Sequence, residues 1–143
     1  MLRTACKSKI HLATVTDANL RYEGSVTIDE ELLVAAQMLP YERLQVVNIN
    51  NGARIETYCL AAPRGSGTVC LNGAAARWAA VGDQVIIISY GLMSDEELAA
   101  HRPTVVFVDQ RNRIQQVTRY GDNHDARPRG GRLTTARAAR VAR

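Results

Sequence analysis

Apolar and polar residues alternate along most of this chain in short runs with a period of two, the pattern of half-buried strands. Residues 2–16 read as one or two strands, with Ile10, Leu12 and Thr14 on one face and Lys9, His11, Ala13 and Val15 on the other. Asp17-Ala18-Asn19 reads as a turn, residues 20–22 as a short extended piece and residues 26–28 as a strand. Asp29 is placed to cap a helix over residues 30–38, with Glu30 and Glu31 in its first turn and Pro40 as its stop.

Asn50-Asn51-Gly52, flanked by runs over residues 44–49 and 54–60, is a hairpin signal. A regular second arm puts Arg54, Glu56, Tyr58 and Leu60 on one face and Ile55, Thr57 and Cys59 on the other. Thr57 and Tyr58 then share a site only across a bulge or a strong twist. Further on come a turn at Arg64-Gly65-Ser66-Gly67, a strand over 68–71, and Asn72-Gly73-Ala74-Ala75-Ala76 as a turn into a small-residue helix start. Val81-Gly82-Asp83 leads into a buried strand over 84–90. Ser94-x-x-Glu97 is a capping box for a short helix ending before Pro103, and residues 104–109 form the last strand. Many short strands with two short helices predict a mainly β domain, a β-barrel, over residues 1–114. From Gln115 the aliphatic pattern fades into Arg, Gly, Ala and Thr, which predicts a disordered tail over 115–143.

Composition narrows the function. With 143 residues, 46% of them hydrophobic, the chain suits one domain with a real core. The net charge of +4 belongs to the tail, where seven Arg face two Asp, leaving eleven basic and twelve acidic groups in residues 1–114. A barrel binding nucleic acid through that tail is therefore one reading, opposed by the near-neutral body and the scarcity of aromatic stacking platforms. Cys6, Cys59 and Cys70 are odd in number and lack C-x-x-C spacing, which fits reduced thiols and neither a disulfide framework nor a zinc site. The N-terminus has no apolar stretch behind its charges, and the longest aliphatic run is too short to span a bilayer; a soluble cytoplasmic protein with no membrane partner is expected.

The chemistry centres on Tyr22-Glu23-Gly24-Ser25. A hydroxyl directly after glycine can add to an unhindered upstream carbonyl, provided the fold strains the peptide and supplies donors to the oxyanion. Gly-Ser is also ordinary turn punctuation. Other elements follow in order: Lys9-Ile10-His11 upstream, then Asn51-Gly52-Ala53-Arg54, Thr57-Tyr58, Arg64-Gly65-Ser66-Gly67, Asn72-Gly73-Ala74-Ala75-Ala76 and Val81-Gly82-Asp83. Taken together over residues 2–109, this set closely resembles the aspartate 1-decarboxylase family of self-processing pyruvoyl enzymes.

The resemblance implies a double-psi β-barrel with short peripheral helices, assembled as a homotetramer with active sites between subunits. It implies cleavage between Gly24 and Ser25 into a β chain (1–24) and an α chain (25–143) that begins with a pyruvoyl group made from Ser25. It also implies conversion of L-aspartate to β-alanine and CO2 for pantothenate and coenzyme A synthesis, with no metal and no pyridoxal phosphate. By similarity, Thr57 polarises the processing carbonyl and Asn72 holds the cleavage loop. Tyr58 resembles the proton donor and Gly73, Ala74 and Ala75 the substrate-binding backbone, while Lys9, His11, Tyr22 and Arg54 match positions lining the pocket. Both spontaneous and factor-assisted maturation stay open. Leu12, Arg21 and Arg77 depart from the commoner family residues, and none carries an assigned role.

These residue types suit the chemistry independently. A Schiff base conjugated to an amide carbonyl is an electron sink for the carbanion left by CO2. A guanidinium such as Arg54 can hold a carboxylate through two parallel hydrogen bonds, Lys9 supplies a point charge, and the Tyr58 phenol can return a proton. Charge alone does not set substrate length, so a pyruvoyl decarboxylase of another acidic amino acid is a second reading. Singly, each residue has a plainer role: Lys9 and His11 as solvated groups on a strand, Arg54 as a surface ion-pair partner, Tyr58 as a packing residue, Asn72-Gly73 as a turn.

Overall fold

The computed structural model describes residues 1–120. Its strands are β1 (Leu2–Thr14), β2 (Asp17–Asn19), β3 (Ser25–Asp29), β4 (Arg43–Asn48), β5 (Arg54–Ala62), β6 (Val69–Asn72), β7 (Gln84–Ser94), β8 (Thr104–Val108) and β9 (Ile114–Arg119). Two short helices, α1 (Glu30–Ala35) and α2 (Asp95–Ala100), and a 3₁₀ helix over Gly73–Trp78 complete the described elements.

The strands lie in the order β2-β6-β3-β5-β4-β7-β1-β8-β9. β1 and β2 are separated by only two residues yet sit far apart in that order, so the sheet must curl back on itself. Backbone bonds from Thr16 N to Val69 O and from Val15 N to Asp83 O, both 2.8 Å, make that closure. Parallel pairing of β1 with β8, β2 with β6 and β3 with β5 interleaves with antiparallel hairpins, giving the double-psi β-barrel and its mainly β class. Ile10, Val15, Val26, Ile28, Leu44, Val46, Leu71, Val85 and Ile87 fill the interior. Each such side chain contributes roughly 1.5–3 kcal/mol through burial.

Several elements differ from the sequence reading. Leu12 has φ +60° at a register shift between Ile10 and Ala13, which resets the alternation: Ala13 and Val15 join Ile10 in the core instead of facing away from it. Asp17–Asn19 is a strand and not a turn, because its backbone pairs with β6 across the barrel seam. The turn falls instead at residues 20–22, where Tyr22 N bonds Asn19 O at 3.4 Å.

α1 ends at Ala35, short of position 38. Gln37 takes φ +56°, and bonds from Met38 N to Leu33 O (2.8 Å) and Gln37 N to Val34 O (3.1 Å) close the helix before Pro40 is reached. β7 runs on to Ser94 because the start of β1 pairs with it. β9, within the stretch read as disordered, is a mostly exposed edge strand held by backbone pairing to β8, which explains its lack of an apolar pattern. The remainder of the tail, from residue 121, lies outside the described residues.

Asp29 fixes the far end of β3. Its buried carboxylate caps α1 at Glu31 N (2.9 Å) and receives Gly65 N (3.0 Å) and Gly67 N (2.8 Å) from the following turn. The capping box opening α2 is formed as the sequence indicated, with Glu97 N to Ser94 Oγ at 3.1 Å and Ser94 N to Glu97 Oε2 at 2.7 Å.

Candidate active site

The Gly24–Ser25 peptide lies where an exposed loop enters the buried strand β3. Gly24 is exposed, and a Cβ there would meet nothing within 4 Å, so its carbonyl carbon carries no bulky neighbour on its own residue. Ser25, one residue later, is 0% exposed. Its register partner on β6 is Asn72, whose Nδ2 donates to Ser25 Oγ at 2.9 Å and to Thr27 Oγ1 at 2.9 Å. The hydroxyl is therefore held by a charge-neutral donor in a water-poor setting, directly after an exposed glycine.

After Asn72 the chain turns sharply through Gly73 at φ +62°, bringing its backbone against the loop at Tyr22 and Gly24. The 3₁₀ helix then carries Ala74 and Ala75 along one wall of a cleft of about 390 Å³, also lined by Gly24, Ile55, Glu56, Thr57 and Trp78. The small side chains leave room beside the scissile peptide. Gly24, Ser25, Thr57, Asn72, Gly73, Ala74 and Ala75 are thus gathered at one place in the single chain.

The remaining expected site residues do not line this cleft. β5 pairs with β4 without a register shift, so Thr57 faces the cleft half-buried while Tyr58 alternates to the other face of the strand, 38% exposed and stacked on Tyr41 with centroids 6.5 Å apart; the two residues still meet at the strand's edge, where both line a shallow pocket with Arg43 and Glu56. Arg54 shares that outer face and donates to Gln45 Oε1 at 2.9 Å. Tyr22 contributes its backbone carbonyl near Gly73, while its ring is exposed. Lys9 and His11 sit on β1 beside β8; the Lys9 ammonium lies 5.5 Å from the Tyr120 ring centroid, and His11 meets Phe107 edge-on at 5.4 Å. Burial, and then the Lys9 charge, push the His11 pKa below its usual value, and its buried Nδ1 has no partner among the described residues.

Four contributors escaped the sequence reading. Ile55, Glu56 and Trp78 line the cleft, and Thr27 shares the Asn72 amide. The signal for Thr27 was present: a period of two places it on the same face of β3 as Ser25.

The match to known proteins follows the same span. The family model described as aspartate decarboxylase covers residues 1–115. An aspartate 1-decarboxylase of Pelotomaculum thermopropionicum is 60% identical over 124 residues, covering 87% of this chain and 93% of that protein. One of Heliobacterium modesticaldum is 61% identical over 114 residues (80% and 86%), and one of Bacillus subtilis 57% identical over 117 residues (82% and 92%). With a family match that takes in strands β1 to β8 and the Gly24–Ser25 junction, the chain belongs to the aspartate decarboxylase family.

Proposed function

We propose that this chain cuts itself between Gly24 and Ser25 and, once cut, decarboxylates L-aspartate to β-alanine and CO2, the β-alanine supplying pantothenate and coenzyme A synthesis. The observation that carries the reading is the buried Ser25 hydroxyl held by Asn72 directly after the exposed Gly24. Ser25 Oγ adds to the Gly24 carbonyl carbon and the C–N bond breaks, giving an ester and a free amine on Ser25. Loss of the Ser25 Cα proton to a base forms a Cα=Cβ double bond as the Cβ–O bond breaks, which releases the Gly24 carboxylate and leaves a dehydroalanine. Its imine tautomer adds water and loses ammonia, leaving the ketone.

Thr57, in the same cleft as Gly24, is suited to polarise the carbonyl under attack. Asn72 keeps a lone pair of the serine oxygen engaged and the strand end in place. The resulting pyruvoyl group supplies a ketone that takes the amine of aspartate and accepts the electron pair released with CO2. The backbone of Gly73, Ala74 and Ala75 forms the wall available to the substrate. Lys9 and Arg54 suit the two carboxylates, Tyr58 the returning proton, and His11 and Tyr22 the rim.

Arg54 and Tyr58 are exposed and Lys9 and His11 lie on β1 away from the cleft, which supports a homotetramer in which a neighbouring copy brings these side chains to it. Among the described residues no helix is long and apolar enough to cross a membrane. We place the enzyme in the cytoplasm, with maturation either spontaneous or assisted by a separate factor.

A denaturing gel with intact mass on the purified chain tests the processing step. Two fragments meeting at Gly24 and Ser25 are expected, the larger blocked by a ketone, while Ser25→Ala stays a single chain that makes no β-alanine. Turnover by an uncut chain with an ordinary serine at 25 would reject the mechanism. Faster release of CO2 from glutamate than from aspartate would reject the substrate.

A further inference from the structure

Lys7 and Lys9 are the two lysines of the chain, and the fold treats them differently. Lys7 Nζ is tied to Gln37 O and to Glu42 Oε1, both at 2.7 Å. Lys9, two residues on, meets no carboxylate among the described residues. Its ammonium lies instead over the face of the Tyr120 ring, 5.5 Å from the centroid.

Backbone pairing brings the ring there. β1 and β8 run parallel with Lys9 opposite Val105, and β9 returns antiparallel with Thr118 opposite Val105, so these three residues form one row across three strands. Side chains in one row share a face of the sheet, and a period of two adds Tyr120 to it. Tyr120 N donates to Pro103 O at 3.0 Å, which carries the pairing one residue past the end of β9 and fixes where the side chain starts. Both partners are half-buried, and a ring face attracts an ammonium more strongly the less water surrounds it. The ring occupies one side of Nζ, leaving the N–H bonds on the other side to meet a carboxylate. A lysine head otherwise samples many rotamers, and holding it in one place removes that cost from the binding step.

We propose that Tyr120 is a positioning residue for substrate capture: its ring seats the Lys9 ammonium, so that the cation is in place before a carboxylate arrives. The inference rests on the reading of Lys9 as a carboxylate holder and gives Tyr120 itself no contact with substrate. Tyr120 lies past residue 115, where the family match ends, so the seat comes from outside the matched span.

The test uses cut, active protein and reads KM and kcat for aspartate separately. Tyr120→Phe keeps the ring face and should stay within about twofold of the unmodified chain in both. Tyr120→Leu keeps apolar bulk without the face and should raise KM about three- to tenfold with kcat nearly unchanged, the pattern of lost ground-state binding. Lys9→Met should raise KM by itself, and in that background Tyr120→Leu should add nothing. A KM that stays level or falls in the Leu form, or that rises by the same factor in the Lys9→Met background, would overturn the proposal. Carbon-13 labelling of the two lysines at Cε gives two signals and reads the seat without turnover. The ring current should displace the Lys9 signal upfield in the unmodified and Phe forms; in the Leu form it should return to the position of free lysine, while Lys7 holds still. A Lys9 signal indifferent to Tyr120→Leu would also overturn the proposal. Thermal unfolding checks each form, and should the Leu form fail to fold, Tyr120→Met takes its place. A displaced Lys9 signal in a chain whose KM ignores Lys9→Met would instead remove the carboxylate-holding reading on which the inference rests.

Discussion

Gly73 and Gly24 approach so closely that no side chain fits between them. A Cβ on Gly73 would lie 2.9 Å from Gly24 Cα, 3.0 Å from Gly24 N and 2.9 Å from Tyr22 O. All three are backbone atoms, so relief requires moving the loop that carries the scissile peptide. The turn after β6 therefore sets where Gly24 sits relative to Ser25.

Gly73→Ala should slow cleavage by more than tenfold. It carries two burdens: the left-handed φ of +62°, costing about 1–2 kcal/mol for a non-glycine residue, and the clash with the loop. Gly52→Ala is the control, since Gly52 has φ +75° with nothing within 4 Å of its Cβ position. Both variants should lose comparable stability from the backbone term, and only Gly73→Ala should lose cleavage. Urea unfolding in a Ser25→Ala background and fragment formation by intact mass measure the two effects. Equal cleavage rates would show that the close approach does not govern the loop.

Sequence periodicity located most strands because their cores are aliphatic and one-sided, and the Asn50-Asn51-Gly52 and Ser94-x-x-Glu97 signals found their elements through local chemistry. It failed where non-local pairing decided. β2 is a three-residue segment made into a strand by β6, and β9 is an exposed edge made by β8. Leu12 shows a third kind of failure. A leucine at φ +60° is locally unfavourable, so nothing in the alternation announces the reset that buries Ala13 and Val15. At the site, Ser25, Asn72 and the glycine turn were legible as an ordered set, whereas the Thr27 contact with Asn72 required the β3–β6 register. The opposite facing of Thr57 and Tyr58 follows from the period of two, and the regular β4–β5 register retains it.

That opposition separates two functions on adjacent residues. Tyr58→Phe removes only a hydroxyl from a partly exposed ring and leaves the stack with Tyr41 in place. Stability should change by less than about 0.5 kcal/mol, as for surface substitutions generally. Cleavage should proceed at the rate of the unmodified chain, because Thr57 and not Tyr58 lines the cleft beside Gly24. Decarboxylation by the cut protein should fall about 10²–10⁴-fold, the usual contribution of a positioned general acid. Quantifying β-alanine per cut chain checks this, and near-normal turnover would remove Tyr58 from the proton-donor role.

A partly buried ion pair sets part of the acid stability. Glu42 receives Lys7 Nζ at 2.7 Å and Leu39 N at 2.9 Å, and is also hydrogen-bonded by the Ser89 hydroxyl. Lys7 Nζ bonds Gln37 O at 2.7 Å as well, so the whole segment after α1 is tied to β1. Burial alone would raise the Glu42 pKa; the hydrogen bonds from Lys7, Ser89 and Leu39, with the Lys7 charge, outweigh it and lower the pKa below 4.5. A carboxylate whose folded pKa is depressed stabilises the fold above its unfolded pKa, and that contribution disappears as pH falls through the folded value. Glu42→Gln should therefore be less stable than the unmodified chain at pH 7 and should lose less additional stability between about pH 5 and pH 3. The deficit at neutral pH should shrink in acid. Urea unfolding of both forms at pH 7, 5 and 3, in a Ser25→Ala background so that cleavage does not intervene, measures the difference. A deficit that stays constant across this range would assign the Glu42 effect to packing and not to its charge.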